Sequence, residues 1–145
     1  MPIPRLQAWY GDDELTYTYS KLKLIAHPWL PTLVILKKLV EQQIKGSFNA
    51  VLANYYRDQN DAVSWHSDNE DELGEEPVIA SLSFGDSRDF KLKHNSTGEK
   101  LTIPLKSGSL LIMSGKTQHY WQHCLPRCKR EKRARINLTF RLINN

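Results

Sequence analysis

His66 and Asp68, two residues apart in WHSD, are the first pair in the chain with metal chemistry in reach. In an extended segment the side chains at i and i+2 leave the same face, so an imidazole and a carboxylate can meet one ion together. A second histidine from a distant strand would complete a 2-His-1-carboxylate face. That arrangement leaves open positions on the metal and is the one used by non-haem Fe(II) oxygenases. Taken alone, His-x-Asp also describes a surface His–Asp pair. A second pattern lies in ARINLTFRL (134–142). On a strand, Arg135, Asn137, Thr139 and Arg141 share one face, and Ile136, Leu138, Phe140 and Leu142 share the other. Two guanidinium groups facing the interior of a β domain need anionic partners, because an unpaired buried ion is costly. A dicarboxylate would supply them, since arginine forks pair with carboxylates in bidentate fashion. The alternative is an edge strand with its arginines in water. A third cluster, His119, His123, Cys124 and Cys128, has the residue types of a zinc site, although its HxxxHCxxxC spacing matches no familiar zinc motif.

These residues need a scaffold, and the chain of 145 residues is long enough for one domain with a real core. One helix is predicted over 32–45, with Pro31 in its first turn, Leu33, Leu36 and Val40 recurring at helical spacing, Leu39 and Ile44 widening that face, and Gly46 as its stop. The face should pack on a sheet. Strands are predicted at 15–20, 48–56, 63–66, 77–84, 89–94, 101–105, 109–114 and 134–142, with HNSTGEK and KSGS as turns. Many short strands between turn signals make the fold class mainly β with a packed helix, a sandwich or barrel.

The composition, 40% hydrophobic and 25% charged, is that of a globular protein. No apolar run is long enough to span a membrane, and the N-terminus lacks the shape of a signal peptide. Two cysteines are too few for a disulfide framework, which makes a reducing, intracellular compartment the expectation, cytoplasmic in a bacterium and nuclear or cytoplasmic in a eukaryote. Lys and Arg number 20 against 16 Asp and Glu, a net charge of +4 that suits an anionic partner such as nucleic acid. Charge is concentrated in two loops: six carboxylates in 68–76 (Asp68, Glu70, Asp71, Glu72, Glu75, Glu76) and six cations against one Glu in 127–135. Such runs are ordinarily solvated loops.

The stretches NYYRDQNDAVSWHSDNEDELG, PVIASLSFGDSRDFKLKH, IPLKSGSLLIMSGKTQHYWQH and RINLTFR resemble the AlkB family, above all its members that act on 1-methyladenine and 3-methylcytosine. The likeness runs from about Pro4 to Ile143. It implies one domain over 1–145 with a double-stranded β-helix (jelly-roll) core over 47–143 and a partial nucleotide-recognition lid over 1–30. It implies His66, Asp68 and His123 as ligands of Fe(II), with 2-oxoglutarate and O2 as cosubstrates. His123 is preferred over His119 because the family's distal histidine precedes a short apolar-Pro step, here Cys124-Leu125-Pro126.

Asn54, Tyr56, Arg135, Asn137 and Arg141 carry over as 2-oxoglutarate contacts. Arg141 and Tyr56 are expected on the distal carboxylate, Arg135 and Asn137 at the other end. The implied reaction is oxidative dealkylation of bases in DNA or RNA, releasing succinate, CO2 and formaldehyde. The base must leave its stack to be reached. The resemblance puts Tyr17, Tyr19 and Ser20 along its pocket with the His66 ring opposite, Arg5 on the substrate backbone, Glu70 on the exocyclic amine, and the basic loop 127–135 along the phosphates. Family members that act on duplexes carry a wedge upstream of the PR segment. Here only Met1–Ile3 stand there, so a single-stranded substrate is expected, a native N-terminal extension is an open possibility, and a monomer is expected. Two other functions use parts of the same pattern: a protein side-chain hydroxylase of the same fold, which has no use for the aromatic lid or the basic loop, and a non-catalytic nucleic-acid-binding module, which has no use for a complete triad.

Overall fold

The computed structural model describes residues 5–13, 15–19 and 22–144, without the side chains of Tyr19 and Leu22. In chain order the strands are β1 (Leu6–Gly11), β2 (Thr16–Tyr19), β3 (Leu22–Ile25), β4 (Ala50–Tyr56), β5 (Val63–His66), β6 (Ile79–Gly85), β7 (Arg88–His94), β8 (Lys100–Leu105), β9 (Leu110–Met113), β10 (Trp121–Leu125) and β11 (Arg135–Arg141). Helix α1 (Pro31–Ile44) separates β3 from β4, and a single helical turn, α2 (Thr117–Tyr120), precedes β10.

The strands form a five-stranded sheet in the order β1-β4-β11-β6-β9, a four-stranded sheet in the order β5-β10-β7-β8, and a β2-β3 hairpin. All these pairings are antiparallel. The two larger sheets face each other as the layers of a jelly roll. Alternation along each strand aims one set of side chains into the space between them. Leu52, Tyr56, Ile79, Phe90, Leu92, Leu105, Met113 and Leu125 fill that space.

A second, smaller core lies outside the large sheet. There Leu33 and Val40 of α1 meet Phe48, Val51, Ala80, Leu138 and Phe140. The helix begins at Pro31 as expected, where a residue without an N–H leaves no donor unsatisfied. Its C-cap is Lys45 in the left-handed conformation, one residue before the expected Gly46. Leu39 points away from the sheet, 53% exposed, so the apolar face is narrower than its sequence suggested.

The first strand changes the expected division between lid and core. Residues Leu6 to Gly11 pair along β4 from Tyr55 to Ala50, making β1 an edge strand of the large sheet, and Trp9 is buried in the inner core. Among the described residues of the span expected to be a lid, β2 and β3 pair with each other and join neither large sheet.

Candidate active site

Strand register assembles the first cluster. In the β5–β10 pair, His66 lies directly opposite His123, and both rings turn inward with centroids 4.3 Å apart. Asp68, just past the end of β5, is held by two hydrogen bonds, one from its own N–H and one from the neighbouring Ser67 side chain. The Asp68 N–H donates to Gln118 Oε1 at 2.8 Å, and Ser67 Oγ donates to the Trp121 carbonyl at 2.8 Å. The carboxylate is thereby turned back between the histidines, with Oδ1 3.9 Å from His66 Nε2 and Oδ2 3.9 Å from His123 Nε2. One potential ligand atom from each of the three residues lies within 4.8 Å of the others.

Electrostatics prepare this cluster for a cation. His66 Nδ1 is 2.7 Å from the Ser64 carbonyl. A carbonyl can only accept, so that nitrogen carries the proton and Nε2 presents its lone pair. Burial pulls the His123 pKa down to about 4, which makes the ring a neutral ligand at neutral pH. Phe90 stacks on it at 5.2 Å. Burial alone would push the Asp68 carboxyl up. Arg141, His123 and His66 outweigh that effect, and the group stays below its ordinary value as a carboxylate. Asp68 Oδ1 is buried and makes no hydrogen bond. A divalent cation would satisfy this buried oxygen, and two histidines with one carboxylate are the donor set that suits Fe(II). The residues fit such an ion.

The second cluster lies along the inner face of β11. Register puts Arg135 opposite Tyr56, Asn137 opposite Asn54 and Thr139 opposite Leu52 on β4, with Gly85, Ser83 and Ser81 of β6 on the other flank. Arg135 is 2% exposed. Its NH2 donates to Ser83 Oγ at 2.9 Å, its guanidinium lies 5.1 Å from the Tyr56 ring centroid, and its Nε makes no hydrogen bond. Among the described residues no carboxylate is within ion-pair reach of it. Asn54 Oδ1 accepts from Arg5 Nε and Gln7 Nε2, which leaves its own N–H groups for the cavity it lines. Asn137 is fixed by Ser81 Oγ at 2.7 Å and by the Thr139 hydroxyl on its Oδ1 at 2.7 Å. One cavity, walled by Tyr56, Asn54, Asn137 and Thr139, runs from Arg135 to the His66–Asp68–His123 cluster.

The polarity along this cavity differs from the expected one. Arg141 stands at the metal end, NH2 3.3 Å from Asp68 Oδ2. Arg135 and Tyr56 form the far end together. Six residue steps along the strand separate the two arginines, about 20 Å of backbone, so they cannot exchange places. Even spacing places both on one face. Which end meets the metal depends on where Asp68 folds back, and strand spacing carries no information on that.

The expected substrate residues fall into different places. Arg5 is 9% exposed and bonded to Asn54 and the Ala62 carbonyl, so it braces the cavity wall. Tyr17 is fully buried, stacked on Trp9 at 5.1 Å, with the Arg141 guanidinium 5.9 Å from its ring centroid. It hydrogen-bonds Glu70, and burial raises the pKa of both. Tyr17 therefore supports Glu70 from beneath and is no open stacking wall. Tyr19 belongs to β2, but its side chain, like all of Ser20, lies outside the described residues.

The acidic loop is built into the fold. Asp71–Leu73 forms a 3-10 turn, Leu73 enters the core, and the Glu72 carboxylate accepts the Thr18 N–H at 3.2 Å. His119 bonds the Glu75 carbonyl. The only metal-capable group among the described residues is His66, Asp68 and His123, so His119, Cys124 and Cys128 make no zinc site.

Two structural contributors carry no mark in the sequence. Gln118 is buried on the single turn α2 and holds the Asp68 backbone. Arg88, 2% exposed, donates to the carbonyls of Asp58, Asp61 and Pro126 and ties two loops together beside Tyr56. A glutamine in a TQHY turn and an arginine opening an alternating strand give no signal that separates them from surface residues.

The chain matches the 2OG-Fe(II) oxygenase superfamily over residues 3–141. It is 47% identical to alpha-ketoglutarate-dependent dioxygenase alkB homolog 3 of Mus musculus, an alignment covering 98% of this chain and 52% of that protein. It is 42% identical to the DNA oxidative demethylase ALKBH2 of Homo sapiens, covering 97% of this chain and 57% of that one. The chain thus spans about half the length of the curated relatives it matches. The solved structure of OsALKBH1 superposes with a TM-score of 0.72 at 20% identity, over 94% of this chain and 77% of that one, which shows a shared fold.

Proposed function

This chain belongs to the 2OG-Fe(II) oxygenase superfamily, and on that premise we propose that it oxidatively removes alkyl groups from nucleic-acid bases, 1-methyladenine and 3-methylcytosine first among them. The names of its relatives, a DNA oxidative demethylase among them, support the substrate class. The observation that carries the reading is the single cavity with a His–Asp–His cluster at one end and a buried guanidinium lacking an anion at the other. Few small molecules offer both a metal-chelating end and a distant carboxylate, and 2-oxoglutarate is one.

In this proposal His66, Asp68 and His123 hold Fe(II). Arg135 and Tyr56 bind the distal carboxylate of 2-oxoglutarate, Asn54 and Asn137 line its length, and Arg141 neutralises the carboxylates gathered at the metal end. When bound, iron and 2-oxoglutarate supply the oxidising chemistry: one O2 is divided between succinate, formed with CO2, and the alkyl carbon, which leaves as formaldehyde. The protein binds, orients and excludes water. Glu70, held by Tyr17 beside Asp68, favours lesions that carry positive charge and an exocyclic amine. The proposed substrate is single-stranded DNA or RNA, and the proposed state is an intracellular monomer.

The test is formaldehyde and succinate release from a single-stranded 3-methylcytosine oligonucleotide, with the matched duplex and an Asp68→Ala variant alongside. Release that needs Fe(II), 2-oxoglutarate and O2, is lost in the variant and is slower on the duplex supports the proposal. Succinate without base repair would move the substrate to another class, with a protein side chain next in line. Faster repair of the duplex would overturn the strand preference.

A further inference from the structure

The outward face of the four-stranded sheet plays no part in the chemistry above. Because His66 points inward, its neighbour Trp65 points out, 37% exposed. Lys93 of β7 reaches across β10 to place its Nζ 4.9 Å from the Trp65 ring centroid. Lys91 is on the same face of β7, and Lys93 is paired in register with Lys100 of β8. Like charges directly opposite each other across a ladder are destabilising. Among the described residues none of these three lysines makes an ion pair. Beyond Lys91 the face continues into a recess lined by Arg127 and Lys132 of the basic loop, with Asp89 as the acid within it.

We propose that this face, from Trp65 across Lys93, Lys91 and Lys100, is a second nucleic-acid-binding surface that carries the single strand flanking the target base. The inference rests on the dealkylase proposal for its substrate and deepens it. The partner follows from the chemistry of the face. A run of uncompensated cations calls for a polyanion. An exposed indole among them calls for a polyanion that also has flat aromatic faces, which distinguishes nucleic acid from an acidic protein segment or a membrane surface. Adjacency supplies the route: Trp65 is the residue next to His66, so a strand leaving the metal end of the cavity meets the indole first and the lysines after it. Four strands at about 4.8 Å spacing give this platform a width of about 14 Å, enough to hold more than the flipped nucleotide alone. Base–aromatic stacking tolerates any sequence, so the surface adds affinity and length preference with no base specificity.

The direct test is binding of an unmodified, fluorescently labelled oligo(dT) of twenty nucleotides to the full chain, read by anisotropy across a salt series. Trp65→Ala should weaken binding roughly tenfold, given what stacking of a base on an aromatic ring contributes. Lys91→Gln with Lys93→Gln should flatten the plot of log K against log salt by about 0.7 for each phosphate no longer neutralised. The control is Lys38→Gln with Lys45→Gln on and beside α1, which removes the same charge from the opposite side of the molecule and should leave both values near wild type. On methylated substrates the Trp65 and lysine variants should raise KM for a long oligonucleotide several-fold and leave a methylated trinucleotide unaffected. If the variants bind oligo(dT) with wild-type affinity and salt slope, or if the control falls as far as they do, the proposal is overturned. Weaker oligo(dT) binding by the variants, in a protein that repairs no methylated base, would support the surface while the dealkylase reading failed.

Discussion

At Arg135 a guanidinium is shut away from water with a serine hydroxyl and a tyrosine ring as its company. Burial pulls its pKa down, the signature of a cation that needs an anion there. Arg135→Met should therefore act in opposite directions on two measurements. The affinity for 2-oxoglutarate, by calorimetry, should fall roughly 10- to 100-fold, as removal of a charge-assisted hydrogen bond worth about 1.5–3 kcal/mol requires. The stability of the ligand-free protein should hold or rise, because an apolar side chain replaces an uncompensated buried charge. Metal affinity should not change. Arg141 contacts Asp68 at the other end, so Arg141→Met should weaken metal and cosubstrate binding together. Gln118→Ala leaves the buried Asp68 N–H without its acceptor. Metal affinity should drop about 10- to 100-fold, as for other residues that orient a ligand, while Gln118→Glu, which keeps an acceptor, should recover part of it.

At the scale of elements, the strands do the positioning and their joints are where the fold is vulnerable. Gly85 ends β6 with φ of +97°, and a Cβ there would clash with the Ala134 carbonyl beside Arg135. Gly85→Ala should cost about 3 kcal/mol or more in denaturant unfolding, since strain and clash add. Gly108→Ala, with φ of +80° but open space around it, should cost about 1 kcal/mol. Much of this framework is legible in the sequence. VSWH reads to the residue as β5, and ARINLTFRL exposes the polar face of β11 by alternation alone. Neither β1 nor β10 is legible as a strand. LQAWYG and WQHCL have no clear alternation, and each is extended because a long-range partner, β4 or β7, supplies its hydrogen bonds. The same limit applies to the site. His66 and Asp68 announce themselves by local spacing, while the approach of His123 and the end of the cavity at which Arg141 stands are tertiary facts.

For the whole molecule, the two sheets enclose a site whose ligands join otherwise separate elements: β5, β10, β11 and the loop bearing Asp68. Filling that site should tie the layers together. With Mn(II) in place of iron and 2-oxoglutarate at about a hundred times its Kd, cosubstrate binding stabilises the native state by about 2.7 kcal/mol. For a domain of this size, that is a rise in Tm of about 5–10 °C. Asp68→Ala should abolish the rise without unfolding the protein. Mass spectrometry of a single-stranded 3-methylcytosine oligonucleotide, with succinate counted in the same reaction, follows both products of the proposed reaction at once. One methyl group should be lost for each succinate formed, and neither product should form with Asp68→Ala. Succinate accumulating over an oligonucleotide of unchanged mass, or demethylation that persists in the Asp68 variant, would contradict the proposed reaction.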